Sequence, residues 1–288
     1  MSKVADYVQF SKLRLASLVV FSAVIGYFIA CRELNIEMDW LRLTALTIGG
    51  LLVTASSNGF NQVIERESDK IMTRTMKRPL PQSRMTPGEG IIVASVMGAV
   101  GIAALFLYTN ILSGILSTLA LILYTVVYTP LKKRTPFAVF VGAFPGAIPA
   151  MLGWVAATSG VGHIGLTGWL LFAVQFMWQF PHFWAIAWVL HDDYQKAGFH
   201  LLPSLGGRDK SSAFQIVLYT LVLIPVSLFP ILIQTSGTVS MVIVLVCGIG
   251  FLYQAIQLYR KCDVRSASRL MFGSFIYLPV VQLAYLFG

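Results

Sequence analysis

The sequence predicts an all-α, polytopic membrane protein of about nine transmembrane helices around a central cavity. Hydrophobic residues make up 57% of its 288 residues and charged residues only 11%, whereas a typical soluble domain has about 25% charged residues. Apolar runs extend over the whole chain, and several reach the ~20 residues that a helix needs to cross the hydrocarbon core. A soluble fold is excluded, because too few charged residues remain to cover its surface.

The apolar runs divide the chain into nine predicted spans. They cover residues 15–31, 40–60, 90–109, 111–129, 137–157, 164–188, 213–234, 238–258 and 268–287. The first resembles a signal sequence, but bulky Ile29 fits a cleavage site poorly, so we interpret this segment as a retained helix. We expect a single transmembrane domain, 1–288, in which the spacing of two acidic loops is compatible with a pseudo-repeat of 1–136 and 137–258 plus a final helix.

The distribution of lysine and arginine predicts the orientation in the membrane. Of the 21 basic residues, 19 lie on one side, in the N-terminal segment and in segments 61–89, 130–136, 189–212 and 259–269. Basic loops face the cytoplasm, so we expect a protein of the cytoplasmic (inner) membrane with its N-terminus inside and its C-terminus outside. Because the charge lies in short loops, the net charge of +9 does not indicate a nucleic-acid partner.

A first group of polar residues ends the second span. Asn61, Glu65 and Asp69 are spaced four apart, which places them on one face of a helix with a drift of about 40° per step. Asn58 lies one turn earlier, inside the apolar segment, where a polar group is costly and suggests a function. Oxygen ligands of this kind suit Mg²⁺, which proteins bind through one or two carboxylates together with substrate phosphates. The alternative is a solvated helix end.

Basic residues follow this group directly. Six of them lie in segment 61–89, and arginine binds phosphate through two parallel hydrogen bonds. We expect Arg74 and Arg78 to bind a diphosphate, whereas a purely topological role explains the remaining charges.

A second group of functional candidates ends the sixth span. His182 lies within an aromatic, apolar helix, and a neutral imidazole at such a position can ligate haem iron or bond another helix. Asp193, next to Tyr194, is expected at the same membrane level as Asp69 and could provide a second carboxylate. The neighbouring rings could shield a carbocation or face lipid: Trp178, Phe180, Phe183, Trp184 and Trp188.

These motifs resemble those of the protohaem IX farnesyltransferases (haem O synthases), a branch of the UbiA superfamily of intramembrane prenyltransferases. The first is Asn-x-x-x-Glu-x-x-x-Asp at 61–69 with Met-x-Arg-Thr-x-x-Arg-Pro-Leu at 72–80. The second runs from Trp178-x-x-Pro-His-Phe to Asp193-Tyr-x-x-Ala-Gly, and the third is Tyr-Thr-x-Leu-Lys-Lys-Arg-Thr-Pro at 128–136. The resemblance covers nearly the whole chain.

The resemblance implies a reaction in which farnesyl diphosphate and haem b give haem O and diphosphate with Mg²⁺ as cofactor. It implies that the catalytic and magnesium-binding residues are Asn61, Glu65, Asp69 and Asp193. It implies that the diphosphate is bound by Arg74, Arg78, Lys132 and Arg134. His182 would face the haem. Association with a haem A synthase or terminal oxidase would follow from such a product.

One departure and three alternatives accompany this interpretation. Many members of the haem branch have an asparagine shortly after the Thr-Pro of the third motif, where this chain has Phe137 and Ala138. A prenyltransferase for phenolic acceptors would carry two spaced aspartates in the second motif, and here Lys196 follows Asp193 instead. A transporter would place charges at the midplane, and a haem carrier would not need Mg²⁺ or a diphosphate.

Overall fold

The computed structural model describes residues 2–233 and 237–288, and within those ranges it is helical without a β-strand. Gln234, the last residue of the predicted seventh span, lies outside the described residues. The helices of the first half are α1 (Lys3–Ser11), α2 (Leu13–Glu33), α3 (Trp40–Ile64), α4 (Arg66–Ile71), α5 (Pro87–Tyr108), α6 (Ile111–Ile122) and α7 (Thr129–Leu131), with a π-helix (Leu123–Tyr128) between α6 and α7. Those of the second half are α8 (Ala138–Ala157), α9 (Gly165–Val189), α10 (His191–Lys196), α11 (Lys210–Ile233), α12 (Thr238–Lys261) and α13 (Val264–Phe287).

Eight helical segments in the described ranges are long and apolar enough to cross a membrane. They are α2, α3, α5, the continuous segment Ile111–Leu131, α8, α11, α12 and α13. The predicted number of nine is not confirmed, because α9 is absent from this set. With 25 residues, α9 is about 37 Å long, but its glutamines, tryptophans and single histidine make it less apolar. It nonetheless packs among α8, α11 and α13.

The predicted spans agree with the observed helices, except that several are too short at the end predicted to be cytoplasmic. The helix predicted to end at residue 60 continues to Ile64, and the one predicted to begin at 268 begins at Val264. Hydrophobicity marks only the part of a helix inside the hydrocarbon, whereas capping extends it further. The side chain of Asp263, for example, accepts a hydrogen bond of 2.7 Å from the backbone N–H of Ser266 and starts α13 there.

The spanning helices surround a cavity, and α8 lies at the centre of the packing. It contacts α2, α6 and α9, and most of its residues are buried. Two glutamines of α9 tie it to the proline-containing part of α8: Nε2 of Gln175 donates to the carbonyl of Gly146 and Nε2 of Gln179 to that of Ala143, both at 2.9 Å. These two side-chain hydrogen bonds join α9 to α8 on either side of Pro145.

Two helices that lead to the predicted cytoplasmic side have the same construction. In each, a 25-residue helix stops at one non-helical residue and is followed by a six-residue helix: α3, Glu65 and α4, and then α9, Leu190 and α10. Both breaks lie beside the predicted acidic motifs. A pseudo-repeat of 1–136 and 137–258 would require this correspondence, and the duplication itself stays a prediction.

The short helix α1 lies across the N-terminal half at the predicted cytoplasmic side. Phe10 is fully buried, and its carbonyl accepts a hydrogen bond of 2.6 Å from Nε2 of Gln62 in α3. Asp6 forms an ion pair of 2.9 Å with Arg84, in the loop before α5. These contacts hold the start of α2, and with it Lys12, next to the end of α3.

Candidate active site

The helices enclose a cavity of about 490 Å³, a volume typical of small-molecule sites. Its mouth is lined by charged and polar residues at the predicted cytoplasmic end of the bundle, and its interior by aliphatic and aromatic residues of α2, α8, α9 and α13. The predicted site residues that line it are Asn61, Glu65, Asp69, Arg74, Arg78, Lys132 and His182. Two predicted residues, Asp193 and Arg134, do not line it.

The three residues of the first motif keep their helical register although the helix breaks at Glu65. The N–H of Glu65 donates to the carbonyl of Asn61 at 2.9 Å, and the N–H of Asp69 donates to the carbonyl of Glu65 at 2.8 Å. The side chains of all three are buried. The sequence prediction of a shared face therefore agrees with the structure, with an added bend at the middle residue.

Each acid of the motif pairs with a different cation. Glu65 Oε1 lies 2.5 Å from Nζ of Lys132, and Asp69 Oδ2 lies 2.7 Å from Nη1 of Arg78. Burial lowers the pKa of the Lys132 amine, but the neighbouring Glu65 carboxylate outweighs it and keeps that pKa above its ordinary value. Lys132 thus stays charged at the mouth, where it is able to bind an anion.

The residues of this motif fit a magnesium ion. Oδ1 of Asp69 is buried and lacks a hydrogen-bond partner among the described residues, which leaves a carboxylate oxygen free at the cavity mouth. No group of three or more His, Cys, Asp or Glu side chains in the described ranges could hold a metal alone. Mg²⁺ does not require one, because it is usually bound by one or two carboxylates with substrate phosphates and water. Asp69, Glu65 and the oxygen of Asn61 are such a donor set.

Asp193 connects the loop after α4 to α10 instead of lining the cavity. Its Oδ2 accepts a hydrogen bond of 3.1 Å from the backbone N–H of Arg74, and Lys196 lies 3.4 Å from Oδ1. Partial burial raises the pKa of the Asp193 carboxyl, but hydrogen bonds from Arg74 and Thr73 lower it further, so the group is ionised. Its predicted role as a magnesium ligand stays a prediction. Its position allows it to act as a clamp, by which we mean a side chain that holds the backbone of the loop at Arg74 against α10.

The loop arginines and lysines occupy three different environments. The guanidinium of Arg74 lies over the ring of Tyr194, 5.9 Å from its centroid, at the edge of the cavity. Nζ of Lys132 lies 4.9 Å from the ring centroid of Tyr128, so it contacts both an acid and a π face. Arg134 is exposed and outside the cavity lining, so its predicted role in binding diphosphate stays a prediction.

Lys12 is a site residue that the sequence reasoning missed. It lines the cavity at the junction of α1 and α2, where it takes a left-handed conformation with φ 48° that is uncommon for a residue other than glycine. Burial, together with the nearby cations Arg78 and Lys132, lowers the pKa of its amine to about 7. In the sequence it had counted only as an orienting charge before the first span.

Two tyrosines from the π-helix were also missed. Tyr124 and Tyr128 line the cavity and lie 5.2 Å apart between ring centroids. The wide turn is accompanied by a hydrogen bond of 2.8 Å from Oγ1 of Thr129 to the carbonyl of Tyr124, five residues earlier. Turns of this type are frequent at functional sites. The Tyr-x-x-x-Tyr spacing in the sequence was the available signal.

His182 lies in the cavity wall, deeper than the charged mouth. It precedes the end of α9 by seven residues, which corresponds to about 10 Å along the helix axis. Its ring is stacked on Trp178 with centroids 4.3 Å apart, and Nδ1 lies 2.7 Å from Oγ of Ser274 in α13. Trp178, Phe183 and Phe275 surround the ring and line the cavity with it, so they form part of the wall of an apolar chamber.

The arrangement combines a cationic mouth with an apolar chamber. Four basic and two acidic side chains line the mouth: Lys12, Arg74, Arg78, Lys132, Glu65 and Asp69. Such a mouth attracts a polyanion, and the chamber below accepts a long apolar group and keeps water away from a reactive intermediate. The site therefore suits chemistry in which an anionic leaving group departs at the membrane surface and a bond forms within the bilayer.

Comparison with known proteins agrees with this geometry. A model described as the UbiA prenyltransferase family matches residues 19–278. The chain is 48% identical to a protoheme IX farnesyltransferase of Cytophaga hutchinsonii over 284 residues, which cover 99% of this chain and 97% of that protein. It is 44% identical to the protein of the same name from Christiangramia forsetii over 288 residues, which cover 99% and 93% of the two chains.

Solved structures share the fold at much lower sequence identity. A digeranylgeranylglyceryl phosphate synthase superposes with a TM-score of 0.81 at 20% identity, over 100% of this chain and 99% of that one. A UbiA homolog from Archaeoglobus fulgidus bound to GPP and Mg²⁺ superposes with a TM-score of 0.73 at 12% identity, over 97% and 99% of the two chains.

Proposed function

The chain belongs to the UbiA prenyltransferase family, and from this premise we propose that it transfers the farnesyl group of farnesyl diphosphate to a vinyl group of haem b, forming haem O. The full-length relatives named protoheme IX farnesyltransferase support this substrate pair. The observation that carries the proposal is the position of His182, a buried imidazole in an apolar chamber about 10 Å below a mouth whose charges suit a diphosphate.

At the mouth, the chain's own residues bind and orient the diphosphate. Arg74, Arg78 and Lys132 provide the donors, and Arg78 and Lys132 are held in place by Asp69 and Glu65 before the substrate arrives. Preorganised cations of this kind stabilise charge that develops on a leaving group, at little cost in reorganisation. Arg134 and Asp193 complete the loops around this region.

Asn61, Glu65 and Asp69 would hold the magnesium ion that the family's fold implies, and Asp193, the fourth ligand predicted from sequence, would act from outside the cavity lining by holding the loop at Arg74. When bound, Mg²⁺ supplies Lewis-acid neutralisation of the departing diphosphate. A fold relative bound to GPP and Mg²⁺ supports this choice of metal, and so does the buried, unpartnered Oδ1 of Asp69.

In the chamber, aromatic side chains protect the reacting carbon atoms from water. The allylic C–O bond breaks and the diphosphate leaves with the electron pair. The π electrons of the haem vinyl group then form the new C–C bond, and one water adds to the resulting cation and loses a proton. The faces of Trp178 and Phe183 line the cavity where such a cation would need shielding.

The cellular setting is proposed from topology and chemistry. The chain lies in the cytoplasmic (inner) membrane, with its N-terminus in the cytoplasm and its C-terminus outside, because the basic loops define the inner side. Haem O is a precursor or cofactor of terminal oxidases, so association with a haem A synthase or an oxidase assembly would deliver the product directly.

The test is an assay of membranes that contain the protein, supplied with haem b, farnesyl diphosphate and Mg²⁺. We expect a pigment whose mass exceeds that of haem b by one farnesyl group and one hydroxyl group, because the water that adds to the cation loses one proton. An empty-membrane control should leave haem b unchanged. Prenylation of a phenolic acceptor in place of haem would overturn the acceptor assignment, and haem retention without any mass change would indicate a carrier.

A further inference from the structure

Ser274 of α13 forms the contact that decides the state of His182. Its side chain is fully buried, and Oγ lies 2.7 Å from Nδ1 of His182. The same Oγ lies 2.6 Å from the backbone carbonyl oxygen of Met271. One hydroxyl group therefore serves two neighbours, each within hydrogen-bond distance.

The single hydrogen of this hydroxyl fixes the histidine tautomer. A carbonyl oxygen only accepts hydrogen bonds, so the 2.6 Å contact with Met271 uses the hydrogen of Ser274. The remaining lone pairs of Oγ then accept, and Nδ1 of His182 must be the donor. His182 is thus protonated on Nδ1, and the lone pair of the imidazole lies on Nε2.

The ring is also fixed in orientation. Trp178 stacks on it with an interplanar angle of 17°, and Nε1 of Trp178 donates to the carbonyl of Ser274 at 2.9 Å. Phe275 packs edge-on, with centroids 4.9 Å apart. Within the described part of the chain, no hydrogen bond occupies Nε2, so this atom is available to the cavity that His182 lines.

Building on the proposed function, we propose that Ser274 is a positioning residue that presents Nε2 of His182 as an axial ligand to the iron of the haem substrate. Ligating histidines usually donate their second ring N–H to a neighbour, which sets the tautomer and increases ligand basicity. Here the neighbour that accepts from Nδ1 of His182 is the neutral hydroxyl of Ser274, which itself donates to the carbonyl of Met271. The haem would therefore bind with its iron against α9, and its reactive edge toward the rest of the chamber.

The experiment compares the purified full-length wild type with Ser274→Ala, Ser274→Thr and His182→Ala. Resonance Raman spectra of the ferrous haem complex measure the iron–histidine stretch, and absorbance titration measures haem affinity. We expect His182→Ala to abolish the stretch. Ser274→Ala should lower its frequency and weaken haem affinity about tenfold, and Ser274→Thr, which keeps the hydroxyl, should restore both. Ser56→Ala removes a buried hydroxyl that likewise donates to a carbonyl, that of Ala94, and should change neither.

The outcomes separate this inference from the function on which it rests. An unshifted stretch in Ser274→Ala, or a stretch that survives in His182→Ala, would overturn the inference. If the wild type makes haem O without an iron–histidine stretch, the inference fails and the proposed function stands. If it neither binds haem nor makes haem O, both fail. Should Ser274→Ala not fold, Ser274→Cys gives the same reading, since a thiol accepts only weakly and should shift the frequency part of the way.

Discussion

Nη1 of Arg78 lies 2.7 Å from Oδ2 of Asp69, and this buried ion pair links α4 to the loop that follows it. The other oxygen of Asp69 has no partner among the described residues. Asp69 thus holds an arginine with one oxygen and leaves the second for another cation. Removing the charge of Asp69 should therefore affect both the position of Arg78 and the binding of the metal.

We expect Asp69→Asn to lower kcat/KM for farnesyl diphosphate by about 10²-fold or more, the range seen when one preorganised electrostatic contact is lost. The amide keeps the size of the side chain but removes its charge. Initial rates over a range of Mg²⁺ concentrations measure the effect, and the half-saturating concentration should rise. Glu67→Gln is the matched control, because Glu67 lies on the same short helix but is exposed and pairs with Lys70. Equal losses in both variants would contradict the assignment.

Asp193→Asn tests whether this carboxylate acts as a clamp or as a metal ligand. A clamp contributes by holding Arg74, so we expect KM for farnesyl diphosphate to rise several-fold while kcat and the Mg²⁺ dependence stay near wild type. Asp192→Asn is the control, since Asp192 is exposed and pairs with Arg208. A higher Mg²⁺ requirement in Asp193→Asn would instead favour the ligand role predicted from sequence.

The stability that the hydrogen bond between Asp193 and Arg74 contributes should depend on pH, and the shift in the Asp193 pKa sets the direction. The pKa of Asp193 in the fold is depressed, so its contribution to stability is fully present above the ordinary aspartate pKa. It is lost only as pH falls through the lower, folded-state pKa. Thermal unfolding midpoints of the wild type and Asp193→Asn should therefore differ by a constant amount at neutral pH and converge only in strong acid. A difference that disappears near pH 6 would contradict this.

The sequence predicted the spans and several of the residues that line the cavity because both depend on local patterns. Asn61, Glu65 and Asp69 follow a four-residue spacing that a helix converts directly into one face. Asp193 shows the limit of such reasoning. Its position near the first motif was predicted, but its partner is a backbone N–H of Arg74, and a loop conformation 119 residues away is not encoded in spacing.

Lys12 and the two cavity tyrosines were missed for different physical reasons. The left-handed backbone of Lys12 depends on how α1 packs against α3, so a local pattern could not reveal its direction. Tyr124 and Tyr128 are displaced by a π-helical turn, whose extra residue changes which side chains face inward. Both cases required the tertiary structure.

Lys12 should couple diphosphate binding to proton uptake. With a pKa of about 7, its amine is mostly neutral above that pH in the free protein, and a bound diphosphate would raise the pKa and draw in a proton. We expect affinity for a non-reactive farnesyl diphosphate analogue to fall with pH above about 7, approaching tenfold per unit. Titration calorimetry in buffers of different ionisation enthalpy would measure the proton uptake directly.

Two Lys12 variants serve as controls for that coupling. Lys12→Arg keeps its charge throughout this range, so its affinity should depend on pH only through the ionisation of the ligand. Lys12→Met has no titrating group, and its affinity should be uniformly low. If the wild type and Lys12→Arg show the same pH profile, another group is responsible.

Gly153 of α8 should be needed for the close packing of α8 on α2. A Cβ atom at this position would meet the backbone carbonyl of Ala23 in α2, and one at Gly26 would meet the carbonyl of Ala150 in α8. Backbone atoms cannot turn away as a side chain can, so Gly153→Ala should force the helices apart and destabilise the fold by about 1–3 kcal/mol.

Gly250→Ala is the matched control, because a Cβ in that helix has no neighbour within 4 Å and alanine is the better helix former. Thermal unfolding in detergent should show a lower midpoint for Gly153→Ala and an unchanged or higher one for Gly250→Ala. If Gly153→Ala unfolds at the same temperature as the wild type, α8 and α2 have room to separate, and the close contact at Gly153 is not needed for stability.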